Sequence, residues 1–566
     1  MMLSVRRMTP MARMASLFQL AQSGEKDCSL QVLESLGVDG GVEEQVRGTI
    51  LRAVRLVRQG SGEAALAVLT HARTRMGFMP TAIIACIIDL CIAMGKEQRA
   101  AHECVAFARD TIALGYRDLA MEACTAALIL DGRSTFEIIR SSSSLREIAG
   151  WYEDTALALV APSCRLAVAG IPARTKVGLM VPNLVDDIVG NIKTLLHLVR
   201  YLDRNRCDIA VYVTENLSRR ESPLFPYGCC DGISEERGAA TIRTIRGLKV
   251  PIHMAKRSGT LSQSALGLVA QIEADSPDIL IVQSGLACPI DWLAMRLVNV
   301  PVKMSIHNGT SLYMPGMNIN VFDNPVNIER EDASWDTSFG QRVVLAQGTD
   351  IEELRGRAAL SRAAFDIPSD AIVVGTLSNH LGRRLSKDYL SVIADILSAE
   401  KHTWFIGFGG GDMAAAKAFF ASRGVFDRVR FGGRQASAGS ALKILDVYAN
   451  EFPVGGSQSV IEAMACGIPV VALRWSDAHA ESAGANAVGP GLAIPGPDID
   501  AYRNLLSHFV CNAAARAKAA AMVTRRVEAN FSVRTYARML LDMGLEALDR
   551  QSHMPDCEAG TMKEAV

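Results

Sequence analysis

Charge of one sign is missing from this chain. Across 566 residues, 59 Lys+Arg stand against 60 Asp+Glu, a formal net charge of −1, so nothing argues for wholesale binding of nucleic acid by phosphate neutralisation. Paired cysteines are missing too: the 13 Cys form no CxxC and no regular framework, with only Cys229 and Cys230 adjacent. An odd, unpatterned set reads as free thiols in a reducing compartment. The 10 His are scattered, without the close pairs a zinc site needs. Aromatics reach only 6%, yet 49% hydrophobic and 21% charged residues exclude disorder as a description of the whole chain. The most lipid-like stretch, residues 82–93, is interrupted by Asp89 and too short to span a bilayer, so it reads as a buried helix. The opening MMLSVRRMTPMARMASLFQLAQ carries early arginines without a sustained apolar core or cleavage site. It reads as a fraying helix and not as a signal peptide. The expectation is a cytoplasmic protein without a transmembrane segment or nucleic-acid partner.

At roughly 150 residues per domain the length suggests three or four domains. Residues 1–168 read as successive amphipathic helices, among them 63–73, 80–94, 98–114 and 116–130, separated by Gly-bearing turns. Small residues recur where helices would approach closely, as in AALAVLTHA and MEACTAALIL. This resembles a degenerate tetratricopeptide (TPR-like) array of helix pairs. From Lys176 the pattern changes to short apolar runs alternating with helices: KVGLMVP, CDIAVYV, VPIHM, DILIVQ, PVKMSIH and RVVLAQG. A second set follows with AIVVGTL, HTWFIGFG, DRVRFGG, LDVYAN and IPVVAL. Such alternation indicates parallel sheets covered on both faces. The expected organisation is therefore an all-α domain (1–168), two Rossmann-like α/β domains (172–348 and 349–530) and a terminal helix (531–550) packing back on the first of them. Two doubly wound domains bring the carboxyl ends of both sheets to one cleft.

The sharpest segment is LDVYANEFPVGGSQSVIEAMACGIPVVAL, residues 445–473. It reads as strand, loop, helix, turn, strand. Gly455, Gly456 and Ser457 stand where the loop enters the helix, where amide hydrogens of the first turn can hold a diphosphate. Ser457, Gln458 and Ser459 can add side-chain hydrogen bonds. Glu462, one turn later, is placed to accept from ribose hydroxyls. Gly-Gly-Ser alone would equally suit an ordinary glycine-started helix in a sheet domain. GFGGGD, residues 407–412, also opens a helix after a strand, but completes no dinucleotide fingerprint.

The whole segment resembles the nucleotide-sugar site of glycosyltransferases with the two-domain GT-B fold. It is most similar to the protein O-linked N-acetylglucosamine transferases and bacterial cytoplasmic N-glucosyltransferases, which carry a Pro-Phe-Pro-x-Gly-like loop, a small polar run, an acid and G-x-P. Here the loop is Glu451-Phe452-Pro453-Val454-Gly455. The large retaining family's paired glutamates would need an acid at position 454, which is Val454. In GTLSNHLGRRLSKDYLSVIADIL the resemblance implies a polar turn, with Asn379, and a diphosphate-binding cation at Arg384, with Arg383 and Lys387 as near alternatives. It implies a further basic position near the base at Arg434, which a loop arginine at the surface would also explain. Residues 306–324 keep His307, Gly309, Thr310 and Ser311 of a first-domain motif, but Met317 and Asn318 stand where that family has an Asp. After the first strand, Asn183, Asp186 and Asp187 replace a substrate-facing His. His307, ending a strand, is a candidate to orient the donor or take a proton. Asp187 is a candidate base, though the acidic pair would also cap the next helix.

The resemblance implies transfer of a sugar from a UDP-sugar, with diphosphate on 455–459 and Arg384 and ribose on Glu462. Backbone dipoles and cations would take the leaving-group charge, so no metal or other cofactor is expected. A solenoid's concave face would favour a protein acceptor. The alternatives are a retaining transferase of polysaccharide or glycolipid synthesis, and a helical scaffold with a degenerate, non-catalytic transferase domain.

Overall fold

The computed structural model describes residues 43–75, 81–132, 138, 141–159, 174–185, 190–215, 224, 238–256, 259–307, 310–323, 335–476 and 479–552. The helix expected at the N-terminus, Gly309, Asp186 and Asp187 lie outside these residues.

The chain begins with six described helices of at least 13 residues: Glu43–Arg58, Gly62–Arg75, Thr81–Ala93, Glu97–Ala113, Arg117–Asp131 and Ser142–Leu159. Glycines in the left-handed region stop two of them. At Gly95 (φ 66°) and Gly115 (φ 84°) the chain reverses, and the next amide bonds back to the last turn, Lys96 N to Cys91 O at 2.8 Å and Tyr116 N to Thr111 O at 2.9 Å. Thr81–Ala93 is apolar nearly all round and is accordingly buried between its neighbours. No helix among the described residues is long and apolar enough to cross a membrane. All eight described cysteines are free thiols.

The first α/β domain holds seven parallel strands: β1 (Thr175–Val181), β2 (Cys207–Val213), β3 (Ile252–Met254), β4 (Ile279–Val282), β5 (Val302–Ile306), β6 (Ile319–Phe322) and β7 (Gln341–Val344). Their order is β3-β2-β1-β4-β5-β6-β7. β6 is an addition to the strands expected from sequence. Its NINVF is short and polar at Asn320, whose side chain accepts from Ser305 Oγ at 2.7 Å and donates to Phe339 O at 2.7 Å.

Strand alternation splits this sheet between two cores. Leu280 and Val282 face one side and join a cluster that runs without a break through Trp292 into the N-terminal helices. Ile279 and Ile281 face the other and pack with Tyr536, Leu540 and Leu548 of the last described helix, Val533–Ser552. The helical region and the first α/β domain therefore share one core.

The second α/β domain has five parallel strands: β8 (Ile372–Ser378), β9 (Thr403–Gly409), β10 (Val429–Gly433), β11 (Val447–Ala449) and β12 (Val470–Val471), in the order β10-β9-β8-β11-β12. The chain passes between domains twice, side by side. Thr349 N donates to Phe531 O at 2.8 Å, and Val533 N donates to Thr349 O at 3.2 Å. Gly348 permits this: a Cβ there would stand 2.5 Å from Val533 N.

Candidate active site

Strand order reverses between β8 and β11, so the loops leaving these two strands flank a crevice at the carboxyl edge of the second sheet, where ligands of such sheets bind. After β8 come Asn379, half-buried, and a short helical turn, Leu381–Arg384. Ser386 then caps the helix Lys387–Ala399, accepting from the Tyr389 amide at 3.2 Å. Its hydroxyl donates to Phe452 O at 2.6 Å, which ties this loop to the one after β11.

That second loop carries Glu451, Gly455 and Gly456 and leads into the helix Gln458–Ala465. A Cβ on Gly455 would stand 2.4 Å from Asn450 Nδ2. One on Gly456 would stand 2.4 Å from Ser459 Oγ and 2.9 Å from Arg384 Nη1. Only glycine lets the half-buried Arg384 guanidinium lie against the helix start. Ser457, at the cap position, makes no side-chain capping bond. A cation and a helix N-terminus thus meet at one point, an arrangement suited to an anionic group.

Glu462 is 2% exposed, and Lys193 Nζ, from the first-domain helix Gly190–Tyr201, donates to its Oε1 at 2.5 Å. Both line a cleft between the domains. On the second-domain side its wall includes Ser378, Asn379, Gly409, Arg434 and Gln435. The glycine run after β9 is needed for packing: a Cβ on Gly409 (φ 145°) would stand 1.8 Å from Ser378 O, and one on Gly410 would stand 2.7 Å from Arg434 Nε. On the first-domain side stands His197, whose burial lowers its pKa to about 4, so its ring is neutral at pH 7. A second inter-domain cavity of about 890 Å³ adjoins Ser457 and Gln458.

The structure thus gathers Asn379, Arg434 and Glu462 around one cleft, puts Ser457 and Gln458 on the wall of the second cavity, and sets Arg384 against Gly456, which like Arg384 and Gly455 lines neither. The other expected residues lie differently. Ser459 is 8% exposed and its Oγ accepts from Tyr448 Oη at 2.9 Å, so it supports the loop from within. Lys387 is exposed at the start of its helix and lines neither cavity. His307 ends β5 but is 8% exposed, stacks on Phe322 with ring centres 5.2 Å apart, and also lines neither. Thr310 Oγ1 accepts from Leu286 N at 2.8 Å.

Three residues of this region escape a reading of the sequence. Lys193, His197 and Arg200 recur at i, i+4 and i+7 in NIKTLLHLVRY, and only that polar stripe could have signalled them. Glu451 is 1% exposed with Thr376 Oγ1 donating to its Oε1 at 2.5 Å. Its burial raises its pKa, opposed by the charge of Arg384.

Asp291, fully buried at the start of the helix Pro289–Leu297, accepts from Thr214 Oγ1 at 2.6 Å. Burial raises its pKa to about 7. The folded state therefore holds a proton that the unfolded chain releases near pH 4, so stability is present below that pH and is lost progressively up to about pH 7. Asp291→Asn, which mimics the protonated group, is expected to stabilise the protein by on the order of 3 kcal/mol at pH 8 and much less at pH 5. Urea unfolding at the two pH values checks this; destabilisation at pH 8 would mean the ionised form is the one used.

Two doubly wound domains joined by a double crossover, with a cleft between them, make the architecture of the GT-B fold. Residues 369–512, within the second α/β domain, match the family of glycosyl transferases group 1, which supports sugar transfer. Among solved structures, an O-GlcNAc transferase mutant from Thermobaculum terrenum is similar over 96% of this chain and 99% of its own, with a TM-score of 0.55 and 15% identity. A glycosyltransferase from Rickettsia africae covers 67% of this chain and 99% of its own, with a TM-score of 0.51 and 15% identity. At these identities the likeness shows the fold, including the N-terminal helical region in the first case. No curated protein sequence matches the chain significantly.

Proposed function

We propose that this glycosyltransferase takes its sugar from a UDP-sugar and delivers it to a protein side chain. The observation that carries the donor half is the Arg384 guanidinium lying against Gly456 at the start of the helix that bears Glu462. As the bond from the anomeric carbon to the diphosphate breaks, negative charge grows on the leaving oxygen. A guanidinium and the amides of a helix start stabilise that charge more than they stabilise the bound donor, which is what accelerates transfer. Glu462 accepts from the ribose, and Asn379 and Arg434 border the same cleft toward the base.

Since these groups supply the positive charge, the reaction is expected to need no resident metal; activity in excess EDTA should equal activity without it, and loss restored by a divalent cation would overturn this. His307 and Asp187 stand as the first-domain groups to be exchanged in a search for the base.

The acceptor half rests on the helical region. Its core is continuous with that of the first α/β domain, so a polypeptide lying along the helices would be held in fixed relation to the cleft. The overall likeness to an O-GlcNAc transferase, helices included, supports the same reading. Titration of the purified protein with UDP- and GDP-sugars, followed by mass spectrometry of co-expressed proteins, tests both halves. A saturable UDP-sugar response with a sugar adduct on protein is expected. Donor hydrolysis or glycan extension without a protein adduct would overturn the acceptor half alone, and no nucleotide response would overturn the donor half.

A further inference from the structure

Glu462 is 2% exposed, and a carboxylate so deeply buried is costly unless it is paired. Its partner comes from the other domain. Lys193 Nζ donates to Oε1 at 2.5 Å, while Oε2 is buried with no hydrogen-bond partner. Both side chains line the inter-domain cleft. An unpartnered buried acceptor is a standing cost that a ligand donor would remove.

Lys193 is well anchored for this reach. Its neighbours Ile192, Leu195 and Leu196 are buried in the first domain's core. Further along the same helix, Tyr201 Oη donates to Asp350 Oδ2, and Arg200 Nη1 donates to Glu353 Oε2 at 3.0 Å. Asp350 and Glu353 lie beyond the crossover, at the start of the second domain. The helix is therefore held against the second domain at two further points, and the Lys193 bond belongs to a fixed contact and not to a wandering side chain.

We infer that Lys193 is a positioning residue that reaches across the cleft and holds Glu462 so that its second oxygen accepts from a ribose hydroxyl. This rests on the donor reading above. Ribose recognition then requires both domains, although the nucleotide site would otherwise belong to the second alone. Lys193 occupies Oε1 and leaves Oε2, which is buried in this structure, as the acceptor a ribose hydroxyl has to reach.

The test is a titration of the full chain with UDP and with 2′,3′-dideoxy-UDP, in the wild type, Lys193→Met and Lys193→Arg. The wild type should prefer UDP by about tenfold, the worth of a hydrogen bond to a charged group. Lys193→Met should reduce that preference to about twofold, and Lys193→Arg should restore most of it. If Lys193→Met weakens both ligands equally, Lys193 is only a clamp between domains and the inference is overturned. It is overturned equally if Lys193→Met keeps the full preference. A wild type that binds UDP without preferring it would instead defeat the assignment of Glu462 to ribose, and a wild type that binds neither would defeat the donor site. Should Lys193→Met fail to fold, Lys193→Gln serves, with the same two overturning results.

Discussion

Exchange of Arg384 for Ala should lower kcat/KM for the nucleotide sugar by roughly 10²- to 10³-fold, the usual cost of removing one charge-stabilising donor. The loss should fall mainly on kcat, because the charge that Arg384 meets is larger in the transition state than in the bound donor. Thermal unfolding separates this from any loss of fold: Arg384 is half-buried, and its charge opposes the burial that raises the pKa of Glu451. Removing the guanidinium takes away the charge opposing that rise, so the Glu451 pKa moves further upward. Arg384→Lys should recover only part of the rate, since an ammonium lacks the planar fork that engages two phosphate oxygens. Steady-state kinetics with a UDP-sugar, beside thermal unfolding of each variant, reads both effects. Unchanged kcat/KM in Arg384→Ala would sink the assignment of the diphosphate to this point.

The candidate donor segment could be picked out of the sequence because its signals are local. A glycine-bearing loop, a helix start and an acid one turn on lie within residues 455–462, and nearby main chain fixes their geometry. Arg384 needed a resemblance, because its meeting with Gly456 joins segments after β8 and β11 that are far apart in the chain. Nothing local pointed to the pairing of Lys193 with Glu462, which are 269 positions apart. The alternation of strand and helix gave both sheets, but not β6, where polar Asn320 masks the apolar run. Ser459 shows the opposite failure: a hydroxyl in the right stretch faces inward because Tyr448 claims it. On the first domain, buried groups such as Asp291 and His307 are set by which strand ends meet, information that no short segment holds.

The helices that precede the first sheet read as a separate module, yet their core is not separate, and Trp292 is where this can be broken. Its side chain is fully buried in the shared cluster, with its ring edge-on to Tyr152 at 5.8 Å between centres. Its indole N–H donates to Leu312 O at 2.8 Å, and Tyr152 Oη donates to Leu286 O at 2.9 Å. Beside them Arg296 and Glu153 form a two-pronged ion pair, with Nε–Oε2 at 2.8 Å and Nη2–Oε1 at 2.7 Å. Trp292→Ala should cost about 3–5 kcal/mol through lost burial and a cavity, and it leaves the Leu312 carbonyl without its donor. Of the two kinds of contact removed, burial dominates, since one hydrogen bond is worth about 1 kcal/mol net. The effect should cross the boundary: hydrogen exchange should quicken together in the helix Ser142–Leu159 and in β4 and β5, while the helix Gln458–Ala465 keeps its protection. Isothermal titration should then show UDP still bound by the second domain, though with the ribose preference weakened as the Lys193 helix loosens. If the helices keep their protection while the first sheet loses it, the helical region folds by itself, and an acceptor held along it would not be held in register with the cleft.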